Sequence, residues 1–261
     1  MNYAALQVFG WLIWRDMRVL RTDLLNTIID AMIVPATYII VAGYVLPFLG
    51  MPKTYGAFMI VSSIVMMAYS TTNFRGASQL ISDIDGDKAI SYELTLPLPP
   101  SLVFIKFACT YALNAMFINI LTLPLGKILL WDKFDLSHFS VLKFILIYPL
   151  VCLFFGFFSV WTASWVEGIR GFSRFWLRYG AQLLFFSGFQ YPWAILNQAL
   201  PLFSYINLLN PFVYAFEGMR AAILGQEGSL PYGVCLLLLV VYSALLSYST
   251  NRNFRKRLDC I

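Results

Sequence analysis

Asp83, Asp85 and Asp87 alternate over five residues, the closest grouping of carboxylates in the chain. Carboxylates this near one another can hold Mg²⁺ or Ca²⁺, and some membrane prenyl- and phosphatidyl-transferases use aspartate clusters in that way. Those clusters need wider, helical spacing and usually a second motif. Lys88 also stands where a calcium-binding EF-hand loop requires glycine. A solvated turn and an acidic docking surface for a soluble partner are the other readings, and the docking surface is preferred. Glu217 and Arg220 lie three apart, so one helical face can pair them. Charges near hydrocarbon are costly and are usually paired or turned to a cavity, so this pair reads first as a structural anchor. No Gly-x-x-x-x-Gly-Lys-Ser/Thr loop for ATP phosphates occurs. Neither His-Glu-x-x-His nor Gly-x-Ser-x-Gly is present. Cys109, Cys152, Cys235 and Cys260 are far apart and read as small packing residues. His138, the only histidine, is given no role. No catalytic residue and no metal ligand set is assigned.

The elements that must carry these residues are membrane helices. Six stretches hold no charged residue for 20 or more positions: 31–52, 54–74, 107–126, 144–166, 179–216 and 228–251. Crossing a bilayer takes roughly 20 mostly apolar residues. The chain is 12% charged, about half of what a soluble domain carries, and its mean hydropathy is +0.73. The expectation is an all-α membrane protein forming one domain over residues 1–261, with no soluble catalytic domain. The net charge of +5 could suggest nucleic acid, but the placement of the basic residues argues against it. With the N-terminus inside and one crossing per window, Lys53, Lys127, Lys133, Lys143 and Arg220 lie on the far side or at its edge. The other 13 basic residues face the cytoplasm, which makes the basicity an orientation signal. Both termini are expected inside.

Residues 1–27 read as an amphipathic helix in the headgroup layer, with Leu6, Phe9, Ile13, Met17, Leu20 and Leu24 opposite Gln7, Trp11, Arg15, Arg18 and Arg21. Six spans are expected over 28–250, at about 28–49, 55–74, 103–125, 141–165, 179–197 and 230–249, with 251–261 as a cytoplasmic tail. Residues 78–95 could form a short surface helix, and prolines end any helix after it. The fifth window is too long for one crossing and too broken for two, being interrupted by Gly188, Pro192, Pro201 and Asn210-Pro211. Two crossings there would place Arg252–Arg257 outside, against the charge rule. One crossing followed by a re-entrant helical hairpin before span six is therefore expected. Irregular backbone at membrane depth needs protein or water to cover it, so this segment should line a cavity or exit. Aromatic runs such as Phe154-Phe155-Gly-Phe157-Phe158 are most often helix contacts; a minority could face a conduit.

The order of parts, together with Ser187-Gly-Phe-Gln-Tyr-Pro192 and the stretch from Leu208-Leu-Asn-Pro211 through Glu217 and Arg220 to Gly225, resembles the membrane subunits of type-2 ABC exporters. That family moves polysaccharides, lipo-oligosaccharides, lipids and drugs. Glu93-Leu-Thr-Leu-Pro97 resembles the segment that ends the family's coupling helix, although Ile90-Ser91-Tyr92 replace a common Gly-Thr turn. The resemblance implies a permease in the plasma (bacterial inner) membrane, paired with a second copy or a close paralogue. Two separate P-loop ATPase subunits would dock beneath it and carry ATP and Mg²⁺, leaving no cofactor on this chain. Asp83, Asp85, Asp87, Glu93 and Pro97 would mark the coupling segment, and Glu167, Arg170 and Arg174 a second cytoplasmic contact. Gly188, Pro192, Asn210 and Pro211 would shape the exit, with Glu217 and Arg220 as its latch. The cargo expected is a lipid, lipid-linked glycan or other amphiphile, with a drug or antibiotic as the alternative. A transferase using the aspartates is a further reading. A secondary transporter is disfavoured because the windows carry no ionisable residue at mid-membrane.

Overall fold

The structure is a computed structural model that describes residues 3–22, 24–86, 89–96 and 98–258; Asp87 and Pro97 lie outside the described residues. Their regular structure is all helical, with no strand among the described residues. Helix α1 (Tyr3–Thr22) is followed by α2 (Leu24–Leu49), α3 (Tyr55–Asp85), the short α4 (Ala89–Leu94), α5 (Pro100–Lys133) and α6 (Val141–Trp165). A broken helical run, α7 (168–186), comes next. Then follow α8 (Trp193–Ala199), α9 (Pro201–Asn207), α10 (Pro211–Ile223) and the long α11 (Tyr232–Leu258).

Five of these, α2, α3, α5, α6 and α11, are long and apolar enough to cross a membrane. The fifth expected crossing, 179–197, is not one helix. Helical structure stops at Phe186, the chain bends through Ser187–Pro192, and α8 starts at Trp193. Upstream of the bend, α7 holds Arg170, Arg174 and Arg178, so its first half is basic. The expected surface helix 78–95 also differs. Residues Ser78–Asp85 continue α3, because Leu80 and Ile81 extend its buried face and nothing breaks it before Gly86. Only Ala89–Leu94 form a separate helix. Likewise 251–258 are the end of α11, not a detached tail.

Small residues set how closely the long helices approach, as they do where lipid supplies no hydrophobic drive between helices. A Cβ on Gly156 would clash with the Ala108 carbonyl oxygen, so α5 and α6 touch backbone to backbone. At the crossing of α2 and α3, a Cβ on Gly56 would meet the Gly43 Cα at 2.9 Å. A π-turn at Val41–Val45 opens α2 there, and Lys133 Nζ donates to the Gly43 carbonyl at 3.0 Å. Lys127 closes the end of α5 by donating to the carbonyls of Trp131 and Phe134. Aromatics fill the centre. Tyr69 packs against Phe155, Phe158, Trp176 and Phe212, and Phe154, Phe155, Phe158 and Phe212 are all buried. These rings are helix contacts, as their clustering in sequence suggested.

Helix α1 lies against α5 through Leu12, with Phe9, Ile13 and Leu20 partly covered, while Trp11 and Trp14 stay exposed. Its buried stripe is thus turned slightly from the expected one, since Leu6 is exposed. Replacing Gly156 with leucine should force α5 and α6 apart and cost about 1–3 kcal/mol or more. Gly10→Ala, where a Cβ meets nothing within 4 Å, should instead stabilise α1 by about 0.5–1 kcal/mol. Thermal unfolding of the detergent-solubilised protein reads both signs.

Candidate functional site

Two charged clusters stand at opposite ends of the helix bundle. The far cluster is built on α10. Asn210 caps that helix, its side-chain oxygen accepting from the Phe212 N–H at 3.0 Å, and Pro211 occupies the first turn. The helix then places Glu217 and Arg220 on one face, 0% and 2% exposed. Arg220 Nη1 donates to Glu217 Oε1 at 2.6 Å. Arg220 Nη2 donates to Ser62 Oγ of α3 at 3.0 Å and to the Gly188 carbonyl. The guanidinium also lies 4.1 Å from the centre of the Phe58 ring. Glu217 in turn accepts from the backbone N–H groups of Trp193, at 3.0 Å, and Leu230, at 3.2 Å.

One ion pair therefore ties α3, the bend before α8, α10 and the entry to α11. Gly188 makes the bend possible: its φ is +83°, and a Cβ would lie 2.8 Å from the Tyr191 carbonyl oxygen. Pro192 stands at the cap position just before α8, whose first N–H is the one Glu217 accepts. Asn207 and Asn210 donate to the carbonyls of Phe186 and Leu183, closing the open end of α7. All six residues singled out in this segment, Gly188, Pro192, Asn210, Pro211, Glu217 and Arg220, meet in one region. Ser62, Phe58 and Leu230 complete it and carry no signal in the sequence.

The near cluster joins α1, α4 and α5. Lys106 is fully buried, and its Nζ lies 2.9 Å from Asp16 Oδ2 and 2.7 Å from Glu93 Oε2. Arg15 binds both acids, at 2.8 Å to Asp16 and 2.7 Å to Glu93. Burial opposes the charge on Arg15, but the bonds to Glu93 and Asp16 outweigh it and raise its pKa. A cavity of about 440 Å³ opens beside the cluster, with Asp83, Arg75, Thr110 and Tyr111 in its wall. Glu93 thus faces inward and pins α4 to α5. Lys106, a charge set among apolar residues near the start of α5, was the available signal for this cluster.

Asp83 and Asp85 part company. Asp83 lines the cavity, whereas Asp85 Oδ1 binds Arg257 Nη2 at 2.7 Å and its Oδ2 accepts from the Gly168 N–H at 2.6 Å. Among the described residues, no group of three or more His, Cys, Asp or Glu is placed to hold an ion. Glu167, Arg170 and Arg174 are exposed around the start of α7. Asp85 reaches that start through Gly168, so the two expected contact segments are neighbours.

A model of the ABC-2 type transporter family matches residues 7–224. The chain belongs to that family. It is a multi-pass membrane protein and a permease of an ABC transporter. Curated proteins and solved structures give no match. The matched region runs from α1 through α10 and so includes both charged clusters.

Changing Arg220 to alanine leaves Glu217 buried without its counter-ion and should cost about 3–5 kcal/mol. Arg220→Met combined with Glu217→Gln should cost less than Arg220→Ala alone, because no bare charge stays inside. Gly188→Ala should lose more than about 1 kcal/mol from its left-handed backbone. Unfolding midpoints of the purified variants rank the three.

Proposed function

We propose that the chain is the membrane-spanning subunit of an ATP-driven exporter. It carries a lipid, a lipid-linked glycan or another amphiphile out of the cytoplasm or the inner leaflet. Two copies, or one copy and a close paralogue, form the pathway in the plasma membrane (the inner membrane of a bacterium). Two P-loop ATPase subunits bind beneath and hydrolyse ATP with Mg²⁺. The chain crosses six times, the fifth passage running from the charge-free end of α7 into the bend at 187–192, with α8 and α9 folded back at the outer side and both termini cytoplasmic.

The observation that carries this reading is the family match combined with the division of charge between the two ends. Exposed Glu167, Arg170 and Arg174 cluster beside Asp85 at the end that also holds α1, α4 and the last turn of α11. That is the surface a soluble ATPase would meet. Asp83 and Asp85 border it, and Glu93 keeps α4 in place from within. The opposite end is closed by the Glu217–Arg220 joint, which suits an exit that opens only when the helices move. The separate directions of Asp83 and Asp85 give no support to a transferase centre.

Affinity capture of the tagged permease from its own membranes should bring down a P-loop ATPase. Arg170→Glu with Arg174→Glu should weaken that capture by at least about ten-fold through like-charge contact. Glu227→Lys, at the other end of the bundle, should leave it unchanged. Equal capture by all three proteins would contradict the docking surface.

A further inference from the structure

Asp85 and Arg257 are 172 positions apart, yet together they clamp the turn between α6 and α7. Helix α6 ends at Trp165 with carbonyls that have no partner inside the helix. Arg257 Nη1 donates to two carbonyls there, Ala163 at 3.0 Å and Val166 at 3.1 Å. The first N–H of α7, that of Gly168, is taken by Asp85. A cation therefore sits at a helix C-terminus and an anion at the next N-terminus, each matching the dipole it meets. The 2.7 Å bond between the two side chains closes the loop. Gly168, at φ +63°, makes so tight a turn possible. Two neighbours hold the end of α11 on the bundle as well: Phe254 stacks on Phe104 at 4.0 Å, and Asn253 donates to Ser164 Oγ at 3.2 Å.

Asp85 closes α3 within the expected coupling segment, and Gly168 opens the helix that bears Arg170 and Arg174. We propose that Arg257 is a positioning residue that joins these two partner-facing segments into one body and links both to α11. Force applied by a docked partner at either segment then reaches the last membrane helix. Naming that partner an ATPase rests on the function proposed above; the strut itself does not. An ion pair this accessible, 20% and 33% exposed, adds little to overall stability. Its effect is on the relative placement of two segments.

The test uses the full chain in lipid nanodiscs, with Cys109, Cys152, Cys235 and Cys260 replaced. Spin labels go on Ser82→Cys and Ser173→Cys, both exposed sites. The distance distribution between them should be narrow in the parent and at least two-fold broader in Arg257→Ala, at a nearly unchanged melting temperature. Asp85→Ala should broaden it as well, and the double variant by less than the sum of the two, since the single variants share the loss of the Asp85–Arg257 bond. Arg257→Lys should fall between. If Arg257→Ala does not purify, Asp85→Asn asks the same question. A parent-like width in Arg257→Ala or Asp85→Asn, or additive broadening in the double variant, overturns the proposal. Absence of any captured ATPase would count against the partner and leave the widths to decide the strut.

Discussion

A charge taken out of water must find its counter-charge in the same place, and the far end of this protein is organised around that requirement. Arg220 and Glu217 are both buried. Desolvating either alone costs several kcal/mol, and only good geometry with further hydrogen bonds repays it. Here Ser62, the Gly188 carbonyl and the N–H groups of Trp193 and Leu230 supply those bonds. The pair can be satisfied only if α3, the bend at 187–192, α10 and the start of α11 all arrive together. The short helices α8 and α9, broken by proline and glycine and burying little of their apolar surface, are held by that joint demand.

The same rule shapes the near end. Lys106 enters an apolar helix and is met by Asp16 and Glu93, which fixes α1 and α4 against α5. Between the clusters the helices pack through glycines and a buried aromatic group, contacts that resist shear and have no polar requirement. Apolar spans thus carry polar joints at both ends, an arrangement that suits the transport cycle proposed above.

Much of this was legible in the sequence. The fourth expected span, 141–165, became α6 with the same bounds, because continuous apolar residues have no alternative in lipid. The pairing of Glu217 with Arg220 followed from helical spacing. Other parts depended on contacts that spacing does not encode. Helix α3 runs on past its window because Leu80 and Ile81 find the packing around Phe104, and a charge-free window ends where a charge appears, not where a helix does. Glu93 was read as facing a partner, yet Lys106, 13 residues on, draws it inward. Arg257 counted only towards orientation, since its partner lies 172 residues away. The fifth window showed its breaks but not where helix would stop.

The proposed topology puts the two charged clusters on opposite sides of one membrane. Single cysteines at Glu227 and at Arg170, introduced in a cysteine-free background, can be labelled with a membrane-impermeant maleimide in sealed right-side-out vesicles. The Glu227→Cys protein should react at once, and the Arg170→Cys protein only after the vesicles are opened. Reaction of both from the same side would contradict it.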